Sequence, residues 1–239
     1  MRAPDFWQPG KGGFAAMALA PLGRVYAAAG AARRAAARPW KAPVPVICIG
    51  NLVAGGAGKT PVALDFGKRL IDSGETVHFL SRGYGGTEKG PLRIDPAIHT
   101  CQAVGDEPLL LARLAPTWIA ADRRLGCQAA VAAGAGIVIM DDGFQNPTTV
   151  KDLSVIVIDG GYGFGNGRVM PAGPLREPVA AGLKRAQAVV VIGGMGSIPG
   201  AMIGALLVGI SRAARPPCRP ENIPSFIKVI CKRHPKAGI

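Results

Sequence analysis

An α/β fold, a parallel sheet flanked by helices, is what this sequence predicts, and three features predict it. Short apolar, β-branched runs recur along the chain, stretches of helical spacing fall between them, and aromatic residues are scarce beside many Ala, Val, Ile and Gly. Strands buried on both faces read as continuous apolar runs, and strands that alternate with helices form right-handed βαβ units. A chain of 239 residues has room for one substantial domain with a small appendage, and for a sizeable core. No internal repeat is present.

Residues 1–43 form the first segment. Within it Phe14 to Ala32 is Ala-rich and apolar, is interrupted by Pro21 and Arg24, and runs into Arg33, Arg34 and Arg38. It reads as too broken to span a bilayer, which takes about 20 apolar residues. Asp5, Trp7 and Pro9 precede the apolar stretch where a signal peptide would carry a basic region. Two readings stay open. An interfacial helix would sink Trp7, Phe14, Met17, Leu19 and Leu22 into the headgroup boundary with its arginines on anionic lipid; an ordinary helix would cover the sheet.

Residues 44–194 are the expected core. Pro43 and Pro45 close the first segment, and Val44–Ile49 is a β-branched run of the kind that makes a central strand. Gly50–Gly58 is a glycine-rich loop. Lys59–Ser73 then has helical spacing of Val62, Leu64, Phe66, Leu70 and Ile71, and Gly74 stops it. Further strands are expected at Thr76–Leu80, Thr117–Ala121, Gly136–Met140, Ser154–Ile158 and Ala188–Ile192, with helices near Glu107–Leu114, Arg124–Ala133 and Val179–Arg185. Past Gly193 the pattern is lost: in residues 195–239 Gly and Pro interrupt every period and a polybasic run starts at Arg212. Ala188 to Ser211 carries no charge and approaches the length of a membrane span, but Gly193, Gly194, Gly196, Pro199 and Gly200 argue against one.

The formal net charge of +13 calls for an anionic partner, and the basic residues gather near both ends. Nucleic acid is not the expected one, because no basic surface interleaved with aromatics and no recognition-helix motif is found. Cys48, Cys101, Cys127, Cys218 and Cys231 are scattered and never paired as C-x-x-C, which indicates neither a disulfide framework nor a zinc site.

The residues that carry chemistry begin with Val53, Ala54, Gly55, Gly56, Ala57, Gly58, Lys59 and Thr60. Between a strand and a helix, a loop ending in G-K-T cradles phosphate oxygens with backbone N–H groups, its lysine neutralises the β/γ-phosphates and its hydroxyl binds Mg²⁺. The strict pattern has glycine where this chain has Val53. Ile137–Met140 is an apolar run ending in Asp141 and Asp142, the form in which a strand delivers carboxylates to a metal on phosphate. Asp106 precedes an apolar helix, either as its cap or as a base for an acceptor hydroxyl, and the cap is the reading its sequence favours. Arg176 and Glu177 follow a long glycine-rich loop, Gly160 to Gly173, of the kind that is usually functional. Arg176 is a candidate for stabilising charge on a transferring phosphoryl group and Glu177 for holding metal, unless they form a surface ion pair. Arg82 also lies just past a strand end, facing phosphate or solvent.

Together these motifs resemble one family, the tetraacyldisaccharide 4′-kinases, which phosphorylate the lipid A precursor in Gram-negative bacteria. The resemblance is carried in order by Pro43–Val46, Gly50–Leu52, Gly55–Pro61, Ser81–Gly85, Val104–Pro108, Asp141–Gln145 and Pro171–Pro178. It implies a P-loop NTPase-like core with an N-terminal membrane-contacting helix. It also implies transfer of the ATP γ-phosphate to the 4′-hydroxyl of an acylated glucosamine disaccharide 1-phosphate at the cytoplasmic face of the inner membrane, giving lipid IVA. On matching positions it implies ATP on Val53–Thr60, Asp106 as catalytic base, and Mg²⁺ served by Thr60, Asp141, Asp142 and Glu177. Lys59, Arg82, Arg123 and Arg176 would face phosphate groups. Two departures accompany it: Asn146 stands where the family usually has histidine, and the histidine motif of the family's second lobe is not found, since His234 lies in a basic context that does not match. The tail from Met195 is therefore read as a frameshift product or a truncated gene, with a nucleotide- and membrane-binding remnant as the alternative to an active kinase.

Overall fold

The computed structural model describes residues 3–193 of the chain. The tail from Met195, with His234, Cys218, Cys231 and the rest of the apolar stretch beyond Gly193, lies outside the described residues.

The expected α/β architecture is present as a sheet of seven strands in the order β3-β4-β2-β5-β1-β6-β7. Its strands are β1 (Val46–Gly50), β2 (Val77–Ser81), β3 (Leu92–Arg93), β4 (Thr117–Ile119), β5 (Ile137–Asp141), β6 (Leu153–Asp159) and β7 (Ala188–Ile192). All pair in parallel except β3, which runs antiparallel to β4 at the edge. Strands β2 to β5 lie on one side of β1, and β6 and β7 on the other. Such a reversal opens a crevice at the carboxyl ends of the strands, where ligands of α/β sheets bind.

The apolar runs form strands because both faces are covered. On one face Ile47, Ile49, Phe79, Ile137 and Ile139 pack with Val62 and Leu70 of α2 (Lys59–Asp72) and Leu111 of α4 (Asp106–Ala112). On the other, Val46, Leu80, Val138 and Met140 meet Cys127 and Ala130 of α5 (Arg123–Ala132). A third cluster joins Cys48, Leu52, Phe144, Ile156 and Leu175 near α6 (Val179–Leu183). Three short elements carry no readable period and were not expected: a 3-10 turn at Asp5–Trp7, β3, and α3 (Cys101–Val104).

The N-terminal segment corrects one expectation. Pro21 and Arg24 do not break it: α1 is a single helix, Gly13–Ala36, long and apolar enough by length and composition to cross a membrane. Pro21 costs the helix one backbone bond, and its side chain is exposed. The helix is turned inside out relative to a soluble one. Ala16 and Gly23 are buried, whereas Phe14, Met17, Leu22, Val25 and Tyr26 are exposed. A Cβ at position 23 would lie 2.8 Å from the Val169 carbonyl oxygen, so glycine is what lets α1 lie against the loop.

That loop, Gly160 to Gly173, has a structural task. Asn166 donates its side-chain amide to the Phe6 carbonyl at 2.7 Å and its backbone N–H to the Trp7 carbonyl at 2.9 Å. Trp7 Nε1 donates in turn to the Pro171 carbonyl at 3.1 Å. The length that marked the loop as functional is used to seat the N-terminal segment.

Candidate functional site

The phosphate-binding loop leaves β1 at Gly50 and enters α2 at Lys59. Gly58, at φ 71°, is the residue before the helix, and a Cβ there would approach Ile192 Cδ1 to 2.9 Å, so both backbone and space require glycine. No side chain caps the helix, which leaves its first N–H groups for an anion. Val53 departs from the strict glycine pattern for a visible reason: it is bridged to Leu175 as extended backbone, a conformation that suits a β-branched residue. The same strip holds Ala54 N–H on the Pro174 carbonyl at 2.7 Å and Arg176 N–H on the Leu52 carbonyl at 2.8 Å. Lys59 is only 6% exposed, and its Nζ donates to the Gly55 carbonyl at 3.3 Å. Asn51, fully buried, donates to the same carbonyl at 3.1 Å.

Strand β5 brings Asp141 beside Ile49 in register, and therefore under the loop. Thr60 Oγ1 donates to Asp141 Oδ2 at 3.1 Å. Asp141 Oδ1 is buried with no hydrogen-bond partner. Burial above all, with the charge of Glu107 next, raises the carboxyl to about 6. Asp142 turns off the strand at φ 52°, a strained value for a residue with a side chain. It accepts a forked pair from Arg176, Nη1 to Oδ1 at 2.8 Å and Nη2 to Oδ2 at 3.2 Å, and lies 3.9 Å from Lys59 Nζ.

Asp106 opens α4 across the cleft. It is exposed, its Oδ1 accepts from the Glu107 N–H at 3.0 Å, and it lines a cleft of about 250 Å³ with Gly56, Gly58, Lys59, Thr60, Pro61, Glu107 and Leu110. Arg82 lies elsewhere, exposed in a neighbouring hollow of about 510 Å³ with Tyr84 and Lys89. Arg123 is 3% exposed; its Nη1 donates to the Ala120 carbonyl at 2.6 Å and its Nε has no partner. Burial, reinforced by the charge of Arg82, lowers it to about 10. Such a buried guanidinium suits an incoming anion.

Glu177 belongs to a different neighbourhood. At 1% exposure it accepts from Arg185 Nη2 at 2.5 Å, lies 3.5 Å from Arg34 Nη2, and accepts from Gln145 Nε2 at 3.2 Å. Arg185 also stacks 4.5 Å from the centroid of Phe144. The structure thus gathers Val53–Thr60, Asp106, Asp141, Asp142 and Arg176, and sets Glu177 behind them among cations. Gln145, Arg34 and Arg185 were missed as site residues, although Gln145 closes the Asp141–Gln145 motif. Glu107 was missed as well. Asn146 is occupied locally, its Oδ1 accepting from both N–H and hydroxyl of Thr148. Lys151, buried so that its charged form is disfavoured, donates to the Phe144 and Asn146 carbonyls.

The family described as tetraacyldisaccharide-1-P 4′-kinase matches residues 15–208. A tetraacyldisaccharide 4′-kinase of Gluconacetobacter diazotrophicus is 59% identical over 194 residues, covering 81% of this chain and 59% of that protein. One of Rhodospirillum centenum is 60% identical over 196 residues, 81% of this chain and 58% of the relative. The crystal structure of LpxK from Aquifex aeolicus in complex with ATP superposes with a TM-score of 0.63 at 30% identity, over 78% of this chain and 62% of that one. The chain therefore spans less than two thirds of the length of these relatives. The linked motifs, the fold they build and the match across most of the chain lead to one assignment: the chain belongs to the tetraacyldisaccharide 4′-kinase family.

Proposed function

We propose that this chain carries the nucleotide half of a kinase that phosphorylates the 4′-hydroxyl of an acylated glucosamine disaccharide 1-phosphate. The observation that carries the reading is the Thr60–Asp141 contact at the floor of a cleft whose opposite wall is Asp106. In this reading Val53–Thr60 wrap the ATP phosphates, and Lys59, already buried against the loop, neutralises the β/γ oxygens. Thr60 and Asp141 would hold Mg²⁺, with Asp142 near it; the unpartnered Asp141 Oδ1 fits a hard cation. Among the described residues no cluster of three or more His, Cys, Asp or Glu side chains gathers to hold a metal alone, which suits an ion resting mainly on phosphate and water. Bound there, Mg²⁺ would neutralise charge developing on the phosphoryl oxygens.

Asp106 takes the acceptor hydroxyl's proton, and its exposed place on the cleft wall supports that role. Arg176, forked onto Asp142, and buried Arg123 supply positive charge, while Arg82 in the neighbouring hollow meets an anionic group of the acceptor. We assign Glu177 to holding arginines rather than metal, because Arg34, Arg185 and Gln145 surround it. The exposed apolar side of α1, with Phe14, Met17, Leu22, Val25 and Tyr26, would lie in the cytoplasmic face of the inner membrane, where an acylated acceptor resides.

The test is transfer of labelled γ-phosphate from Mg-ATP to the disaccharide 1-phosphate in mixed micelles by the purified chain. A new phosphate monoester at the 4′ position is expected, with Asp106→Asn keeping nucleotide affinity and losing turnover. Product no greater than that of the Asp106→Asn variant would overturn the reading.

A further inference from the structure

We propose that Arg34, in the last turn of α1, is a positioning residue for the phosphate-binding loop: it clamps Glu177, and through Gln145 and Arg176 fixes the carboxylate of Asp142 that faces Lys59. The inference rests on the kinase reading only for its effect on ATP; the coupling itself is a property of the fold.

A continuous polar chain carries it. Arg34 Nη2 lies 3.5 Å from Glu177 Oε2. Gln145 Nε2 donates to Glu177 Oε1 at 3.2 Å and to the Asn51 carbonyl at 2.9 Å, so it is stretched between the buried carboxylate and the start of the phosphate-binding loop. Its Oε1 accepts from Arg176 Nη1 at 3.4 Å, and Arg176 holds both oxygens of Asp142. Asp142 stands 3.9 Å from Lys59 Nζ. Arg33 adds a parallel contact from the same turn of α1, Nη2 to the Gln145 carbonyl at 3.5 Å.

Burial gives this chain its leverage. Glu177 is 1% exposed, and a carboxylate so enclosed is held by its cations and donors rather than by water. Arg185 keeps the charge neutralised from one side, so removing Arg34 does not strand a bare anion; it shifts the carboxylate toward Arg185 and away from Gln145. A backbone route runs beside the polar one. The loop on which α1 rests continues into Pro174–Arg176, whose backbone pairs with Leu52 and Ala54. Because the buried residues of α1 are the small Ala16 and Gly23, apolar packing alone anchors the helix weakly, and Arg34 fixes where its end sits.

The experiment uses the full chain with Arg34→Ala, Arg34→Gln and Arg34→Lys. Amide exchange is read without nucleotide over Gly143–Asn146, Pro174–Glu177 and the loop from Leu52 to Gly58, beside thermal unfolding, and affinity for a fluorescent ATP analogue with Mg²⁺ is measured separately. Arg34→Ala and Arg34→Gln are expected to quicken exchange in all three segments and to weaken analogue affinity about three- to tenfold, with Arg34→Lys recovering most of both. Arg34→Ala combined with Glu177→Gln should weaken affinity little further than Glu177→Gln alone, as a shared route requires. Faster exchange confined to α1 in Arg34→Ala or Arg34→Gln, or an unchanged affinity in both, would overturn the proposal. The exchange readout needs no ligand, so a chain that bound no nucleotide would sink the kinase reading while the coupling was still decided.

Discussion

Two buried carboxylates stand on either side of the phosphate-binding loop, and they are neutralised in opposite ways. Asp141 and Glu177 are each 1% exposed. Glu177 is met by Arg34, Arg185 and Gln145. Asp141 has the Thr60 hydroxyl on one oxygen and nothing on the other, and burial raises it to about 6. An enclosed carboxylate without a cation is costly, so a fold keeps one where an external cation will join it. In the proposed reading the flank around Glu177 is neutralised by the protein's own cations, and the floor around Asp141 is completed by a bound cation. On the reading proposed above one region is architecture and the other chemistry, although in sequence both are acidic residues followed within two positions by Gly or Pro.

The largest expected effect falls on the floor. Lys59→Ala removes the buried cation that lies within the loop itself, 3.3 Å from the Gly55 carbonyl, and turnover should drop about 10²- to 10³-fold, as loss of a preorganised charge stabiliser generally does. Steady-state kinetics measure it, and thermal unfolding should barely move. A loss under tenfold would place the main phosphate charge elsewhere.

Glu177→Ala tests the flank and should show the reverse balance. It leaves Arg34 and Arg185 facing each other without their shared anion, at a cost of about 2–4 kcal/mol, less than the full value for a buried pair because both cations reach some solvent. Denaturant unfolding measures this. If stability held while all Mg²⁺-dependent nucleotide binding vanished, Glu177 would belong with the floor after all.

How much of this was legible beforehand follows the range of the contacts. Strand, glycine loop and helix around Lys59 could be read because each is a local pattern, and Asp141 could be read because an apolar run ends on it. Asp106 was left between cap and base by its local setting, and only the fold sets it opposite Thr60. The partners of Glu177 were not legible. Arg34 lies at the far end of the chain in what reads as one of several surface arginines, and no spacing links it to Glu177. Pro21 misled because a proline removes one backbone bond from a helix of 24 residues without having to end it. The loop from Gly160 to Gly173 was legible only as a long loop; its contacts with Trp7 and Gly23 join segments more than 140 residues apart, and no local pattern announces them.

Asp141→Asn isolates the cost of the incomplete floor. Its carboxyl titrates at about 6 in the fold against an ordinary 3.8, so the charged form works against folding above that range. The penalty is fully present above pH 6 and is relieved as pH falls toward 4, a difference on the order of 2–3 kcal/mol. With Mg²⁺ chelated, Asp141→Asn should therefore be more stable than the parent chain at pH 7.5, and the gap should narrow to about a third by pH 4.5 and close only below pH 3.8. Mg²⁺-dependent nucleotide affinity should fall in the same variant. A gap that stayed constant with pH would mean that Asp141 already has its cation within the protein.

The smallest effect sharpens the other side of the comparison. Arg185→Lys keeps a cation near Glu177 but gives up the stacking on Phe144 at 4.5 Å and the guanidinium contacts with the Ala181 and Phe144 carbonyls. Those are modest interactions, so the loss should be about 1 kcal/mol, whereas Arg185→Ala, which also removes the charge, should cost more. If the flank is complete through charge alone, lysine restores nearly everything and the two variants separate widely. If the planar fork is what sets the carboxylate's direction, lysine falls close to alanine in nucleotide affinity while remaining stable. Measuring stability and affinity on the same pair distinguishes neutralising a buried carboxylate from aiming it.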